Sequence, residues 1–150
     1  MRILLLSAHY LGFVLWLGAG VAAMQVGAAM RGAGREETAL LVGIMGRLYR
    51  AMVLPGALLT TITGLVLTLR LYGGAISAVG YSPALMVMQG VGVAGAALAL
   101  GVSFPAVMRL ARLDPTGPHA EHFRVLRKRV SLSGMVAGML GLIALVAGAM

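Results

Sequence analysis

The sequence predicts an all-α fold: a polytopic integral membrane protein, built as a four-transmembrane-helix bundle in one membrane domain over residues 1–150, with both termini outside. Three observations predict it. The 150-residue chain is 60% hydrophobic and only 11% charged, with a mean hydropathy of +0.97. A soluble domain of this size needs more polar residues to cover its surface. The apolar residues form four runs, about 3–30, 52–71, 83–108 and 130–150, each at or above the roughly 20 residues that cross a bilayer core. The 12 Lys and Arg gather between particular runs instead of spreading evenly. Helices are the expected form, because backbone groups in lipid must be satisfied within the segment. The alternation of a barrel strand is absent.

The first run opens "RILLLSAHYLGFVLWLGAG". Its apolar stretch is about twice the length of a signal-peptide core, and His9 and Trp16 lie inside it, so it reads as a retained first helix. Between the first two runs, "REETALLVGIMGRLYRAM" spaces Leu40, Leu41, Ile44, Leu48 and Met52 three or four apart on one helical face. Glu36 and Glu37 near its start and Arg47 and Arg50 near its end complement a helix dipole. This cytoplasmic amphipathic segment, about 36–51, is expected either as an interfacial helix or as an extension of the second helix that ends or bends near Pro55. Before the fourth run, "LDPTGPHAEHF" carries Pro115, Gly117 and Pro118 and marks a turn. His119, His122 and Glu121 there are too few for a metal site and read as solvated loop residues.

Charge sets the expected orientation. Arg31, Arg35, Arg47 and Arg50 follow the first run; Arg109, Arg112, Arg124, Arg127, Lys128 and Arg129 precede the fourth. The connection between the second and third runs has only Arg70 at its edge. The positive-inside rule places the first and third connections in the cytoplasm, N-out and C-out, in a bacterial-type inner (plasma) membrane. The net charge of +8 is mostly this collar. It suits anionic lipid head groups of the lipid bilayer and is not read as a nucleic-acid surface. No cysteine is present, which excludes disulfides and thiolate-metal chemistry.

Small residues mark where helices meet, since lipid supplies no hydrophobic drive between them. Gly12, Gly20, Ala23 and Gly27 in the first run, Gly90, Gly92, Gly95 and Ala96 in the third, and Gly134, Gly138 and Gly141 in the fourth are the expected contact positions. They fit a compact bundle, and also a homo-oligomer or a small subunit of a larger membrane complex. His9, Phe13, Trp16 and Gly20 share one side of the first helix, so His9 is expected to face protein.

Intramembrane polar residues are costly and are functional candidates by default. His9 lies about 9 Å inward from Ile3 at the helical rise, and Gln89 lies at about the same depth from Pro83. Met86 and Met88 flank Gln89, and Thr61, Thr63 and Thr68 lie along the same half of the second run. Three chemistries fit. A haem iron takes His9 as an axial ligand. Copper(I) takes His9 with Met86 or Met88, thioethers being soft ligands. A quinone or porphyrin hydrogen-bonds His9 and Gln89 without a metal. The alternative is that His9 bonds a facing Thr or carbonyl and does nothing more. No second intramembrane histidine exists, so two histidines from one chain cannot both ligate a haem. Most of the 11 methionines read as packing.

Residues 9–20, "HYLGFVLWLGAG", resemble the first-helix H-x(6)-W-x-G pattern of the copper-resistance protein D family and of the HemJ-type membrane protoporphyrinogen oxidases. "GRLYRAMVLPGALLTTITGLVL", residues 46–67, is similar to the HemJ-type second helix, and "FRVLRKRVSLSG", residues 123–134, to the entry into its last helix. The resemblance implies a four-helix membrane protein, often dimeric, that binds haem b through the first-helix histidine, here His9. For the HemJ-type enzymes it also implies six-electron oxidation of protoporphyrinogen. Arg47 and Arg50 match the basic lead-in to the second helix. The family's lysine early in the third helix is replaced by Gln89 at the nearest position, and a later histidine of that helix is missing; a glutamine neither carries charge nor titrates near neutrality. The reading for function is therefore a haem b or porphyrin protein in a redox or haem-related role, with His9, Trp16, Arg47 and Gln89 at the cofactor. A copper-handling protein using His9 and Met86, and a non-catalytic membrane subunit, are the alternatives.

Overall fold

Each apolar run becomes a helix. The computed structural model describes residues 1–72, 82–115 and 118–149. Among them α1 (Arg2–Ala29), α2 (Arg35–Arg70), α3 (Pro83–Leu110) and α4 (Ala120–Gly148) are all long and apolar enough to cross a membrane. Residues 73–81 of the connection that was expected to face outside, and Gly117 of the turn before α4, lie outside the described residues. Every Lys and Arg except Arg2 and Arg70 sits at one end, where α1 and α3 finish and α2 and α4 begin. That is the basic end; the other is the histidine end.

The boundaries of α1 and α3 follow the expectation closely. Ser82 starts α3 by accepting the Leu85 N–H at 3.1 Å, with Pro83 in the first turn, where its missing N–H costs nothing. In contrast, α2 and α4 start earlier than their apolar runs, at Arg35 and Ala120. The amphipathic segment is thus an extension of α2, not a separate helix. Its buried side is Thr38, Val42, Met45 and Gly46; of the apolar stripe, Leu41 and Met52 pack against the core, Leu40 is 59% exposed and Ile44 and Leu48 are partly covered. The helix passes through a π turn, Tyr49–Val53, just before Pro55, and α3 passes through another, Ala99–Ser103, just before Pro105. In each the first residue's carbonyl is reached from five residues on, by the N–H of Leu54 or Phe104. A wider turn shifts the helical phase, so one straight stripe does not run through it. The bend expected near Pro55 takes this form.

Two close pairs, α1 with α2 and α3 with α4, make up the bundle. In the first, backbones nearly touch. A Cβ at position 56 would lie 2.7 Å from the Trp16 backbone nitrogen and 2.9 Å from the Gly12 carbonyl oxygen. In the second, Gly92 faces Ala144 and Gly95 faces Ala137 and Leu140. Gly134 abuts Tyr49, Gly138 meets Met24 and Gly141 meets Leu17. Gly20 and Gly90, expected at contacts, meet nothing within 4 Å. Both point away from neighbours because the closest approach is set by Gly12 on α1 and by Gly92 and Gly95 on α3.

At the basic end the pairs merge. Trp16, Tyr49, Val107, Leu110, Phe123 and Leu126 belong to one contiguous buried cluster drawn from all four helices. Its polar members satisfy one another: the Tyr49 hydroxyl hydrogen-bonds the Ser103 side chain, and Ser103 donates to Ser133 at 2.9 Å. The cluster reaches toward the histidine end only to the level of Trp16, Ala57, Ala96 and Ala137. Beyond that level Phe13, Leu67 and Ala144 are buried outside it, and the pairs part.

Candidate functional site

Where the pairs part they enclose a cavity of about 300 Å³. All four helices line it: His9 and Phe13 from α1, Gly64 and Thr68 from α2, Met88 from α3 and Gly148 from α4. Arg2 lies in its wall as a cation.

The imidazole of His9 is held in one orientation. Its Nδ1 lies 2.9 Å from the Thr60 carbonyl oxygen. A carbonyl only accepts, so Nδ1 carries the proton. Thr63 Oγ1 stands 3.2 Å from the same nitrogen and gives its own proton to the Leu59 carbonyl at 2.5 Å, so it too accepts. In the neutral ring the lone pair is then on Nε2. Nε2 has no hydrogen-bond partner among the described residues, and no fully buried side-chain nitrogen or oxygen among them lacks one; it follows that Nε2 keeps some exposed surface, and His9 lines the cavity. The ring presses its Cε1 against position 64, where a Cβ would meet that atom at 2.9 Å, so only glycine admits the ring as it stands. Phe13 meets it edge to face at 5.4 Å and stacks in turn on Trp16 at 6.2 Å.

The residues singled out from sequence separate into those near the cavity and those away from it. Trp16 is 3% exposed and forms the floor under Phe13 as part of the buried cluster. Gln89 donates to Thr68 Oγ1 at 2.6 Å, and Thr68 lines the cavity and donates to the Gly64 carbonyl at 2.9 Å. Gln89 therefore meets the cavity wall through Thr68. Met86 is 59% exposed and outside the cavity; Met88, two residues on and about 200° round the helix, is the methionine inside it. Arg47 is exposed at the basic end, 17 residues from Gly64 along α2 and so about 25 Å from the histidine. It borders a shallow apolar groove with Leu40, Ile44 and Met52. Its neighbour Arg50 meets Met108 Sδ at 3.3 Å.

His119 and His122 are both exposed at the start of α4, and no group of three or more His, Cys, Asp or Glu that could hold a metal ion occurs among the described residues. Sequence reasoning missed Thr60 and Gly64. Their signal was the four-residue spacing Gly56–Thr60–Gly64, which puts three small side chains on one face of α2.

No family model matches the chain, and no curated protein or solved structure matches it. The functional reading rests on the geometry.

Proposed function

We propose that this chain is an integral membrane protein that binds haem b through His9 Nε2, in a redox or haem-handling role. The observation that carries the reading is the Nδ1–Thr60 carbonyl bond. A ligating histidine characteristically donates its other ring N–H to a carbonyl or carboxylate, which fixes the tautomer and aims the lone pair. A free metal ion asks the protein for most of its ligands, whereas a haem brings four of its own and needs one or two more.

In this reading His9 supplies one axial position and Thr60 and Thr63 hold its ring. Phe13, Leu67 and the Trp16 floor exclude water from one side, and Arg2 offers a cation to a propionate carboxylate. Bound haem would supply one-electron chemistry within the membrane. The Gln89–Thr68 pair provides a neutral polar wall where a lysine would provide charge, which favours electron carriage or haem handling over oxidation of a porphyrinogen. The positive-inside rule assigns the basic end to the cytoplasm and the cavity to the outer half of the bilayer. Met88 supports a second reading, a copper(I) site of one imidazole and one thioether.

The test is the visible spectrum and metal content of protein purified in detergent. Haem binding gives a Soret band that His9→Ala abolishes and Met88→Leu at most shifts. A colourless protein whose copper is lost in both variants supports the second reading. A ligand retained unchanged in His9→Ala overturns the site.

A further inference from the structure

The basic end holds another cavity, of about 430 Å³, where the end of α1, the start of α2 and the first turns of α4 meet. Four guanidinium groups line it: Arg31, Arg35, Arg124 and Arg127. Carboxylates answer two of them. Asp114 pairs with Arg35 at 2.5 Å, and Glu121, itself in the wall, pairs with Arg124. Arg127 is half-buried and, among the described residues, donates only to the Met30 carbonyl oxygen, at 3.4 Å, and has no carboxylate partner there. Arg31 has no ion pair among the described residues. Glu36 and Glu37 follow in α2 but do not line the cavity.

The start of α2 adds a further attraction for anions. Gly34 precedes it with an extended backbone, φ −67° and ψ 179°, and no side chain caps it. The first bond of the helix is Thr38 N–H to the Gly34 carbonyl at 2.9 Å. The N–H groups of Arg35, Glu36 and Glu37 thus have no acceptor within the helix, and Gly34, Arg35 and Thr38 form part of the cavity wall. Helix N-terminal amides favour oxyanions, and guanidinium forks match phosphate oxygens two at a time.

We propose that this cavity binds a phosphate group, using Arg31 and Arg127 as the uncompensated cations and Arg35 and Arg124 as charged walls. The same oxyanion comes from two sources, an anionic phospholipid head group or a phosphate in solution. Arg127 is three residues, about 4.5 Å, from Val130, where the apolar run of α4 begins, so a lipid phosphate is within its reach. The lipid source rests on the membrane reading; neither source rests on haem.

The full chain tests this in two arms. In detergent it is titrated with inorganic pyrophosphate by calorimetry. In phosphatidylcholine nanodiscs containing phosphatidylglycerol, the lipid it retains is read by native mass spectrometry. Wild type is compared with Arg31→Gln/Arg124→Gln and with the charge-matched pair Lys128→Gln/Arg129→Gln; all four side chains are exposed, and the second pair does not line the cavity. The first pair is expected to weaken binding about tenfold, the scale of losing two charge-assisted contacts at a solvent-reachable site, and the second by under about twofold. Arg31→Lys keeps the charge but not the fork, and is expected to fall between wild type and the double variant. The arm that responds identifies the source. Equal weakening by both pairs, which indicates a diffuse basic collar, overturns the proposal, and so does an absence of binding in both arms. Matching thermal unfolding shows that the variants fold. The Soret band, read on the same samples, is unaffected by either result.

Discussion

At the basic end, Trp16, Tyr49, Val107, Leu110 and Phe123 share one buried cluster in which Tyr49, Ser103 and Ser133 satisfy one another. Seven residues back along α1, His9 faces a cavity with one ring nitrogen tied down and the other free. The same four helices build both regions, and both use polar side chains among apolar ones. In the closed half every buried hydroxyl among the described residues has a partner inside the fold. In the open half the partnering stops one atom short. A polar group within such a bundle is costly, and the proposed ligand role of His9 rests on its being half-satisfied beside a cavity.

Substitutions that affect one half and spare the other test this contrast. The largest effect is expected from Trp16→Ala, which empties the floor between the halves. It should lower unfolding free energy in detergent by about 3–5 kcal/mol, and a loss under about 1 kcal/mol would show that the halves do not depend on it. Next comes Gly56→Ala. A Cβ there meets two backbone atoms on the facing side of α1, and overpacking of that kind costs about 1–3 kcal/mol. Gly20→Ala on the same helix pair is the contrast: it meets nothing and should raise the thermal midpoint slightly, by the helix propensity gained. Gly64→Ala separates site from fold. Its Cβ displaces the His9 ring from the Thr60 carbonyl, so ligand affinity should fall about tenfold, as with other losses of a ligand's support, while stability changes little. Smallest is Ser133→Ala, which removes one hydroxyl from the closed network and should cost about 0.6–1 kcal/mol with no change in the ligand spectrum.

The four spans were legible because length and hydropathy alone decide them. So was the inward face of His9, which follows from its spacing with Phe13 and Trp16. What could not be read was helical phase. In runs as uniformly apolar as 83–108, no polar face marks the outside, so Met86 and Met88 look alike in sequence although one residue pair of rotation puts only Met88 in the cavity. The stripe from Leu40 to Met52 had the right period but only Leu41 and Met52 of it pack against the core, since the buried face of the first turns is Thr38, Val42, Met45 and Gly46. Glycines were informative as a group and not singly. Gly12 sits at the closest approach and Gly20 does not, a distinction that depends on where α2 crosses α1. Arg47 was carried to the site only by its resemblance to a motif, and the length of α2 removes it.

The contiguous core ends at Trp16, and this has a mechanical consequence. Beyond it the pairs resemble two stiff rods fixed at a common root and tied again toward the tips by the Gln89–Thr68 bond, so a change of angle at the root is amplified along the rods. From Trp16 to Ile3 is 13 residues, about 20 Å at the helical rise. A rotation of about 3° at the root therefore moves the tips by about 1 Å over that length. The indole packed against Gly95, one layer below the Phe13 wall, is thus one of the points from which the width of the cavity is set.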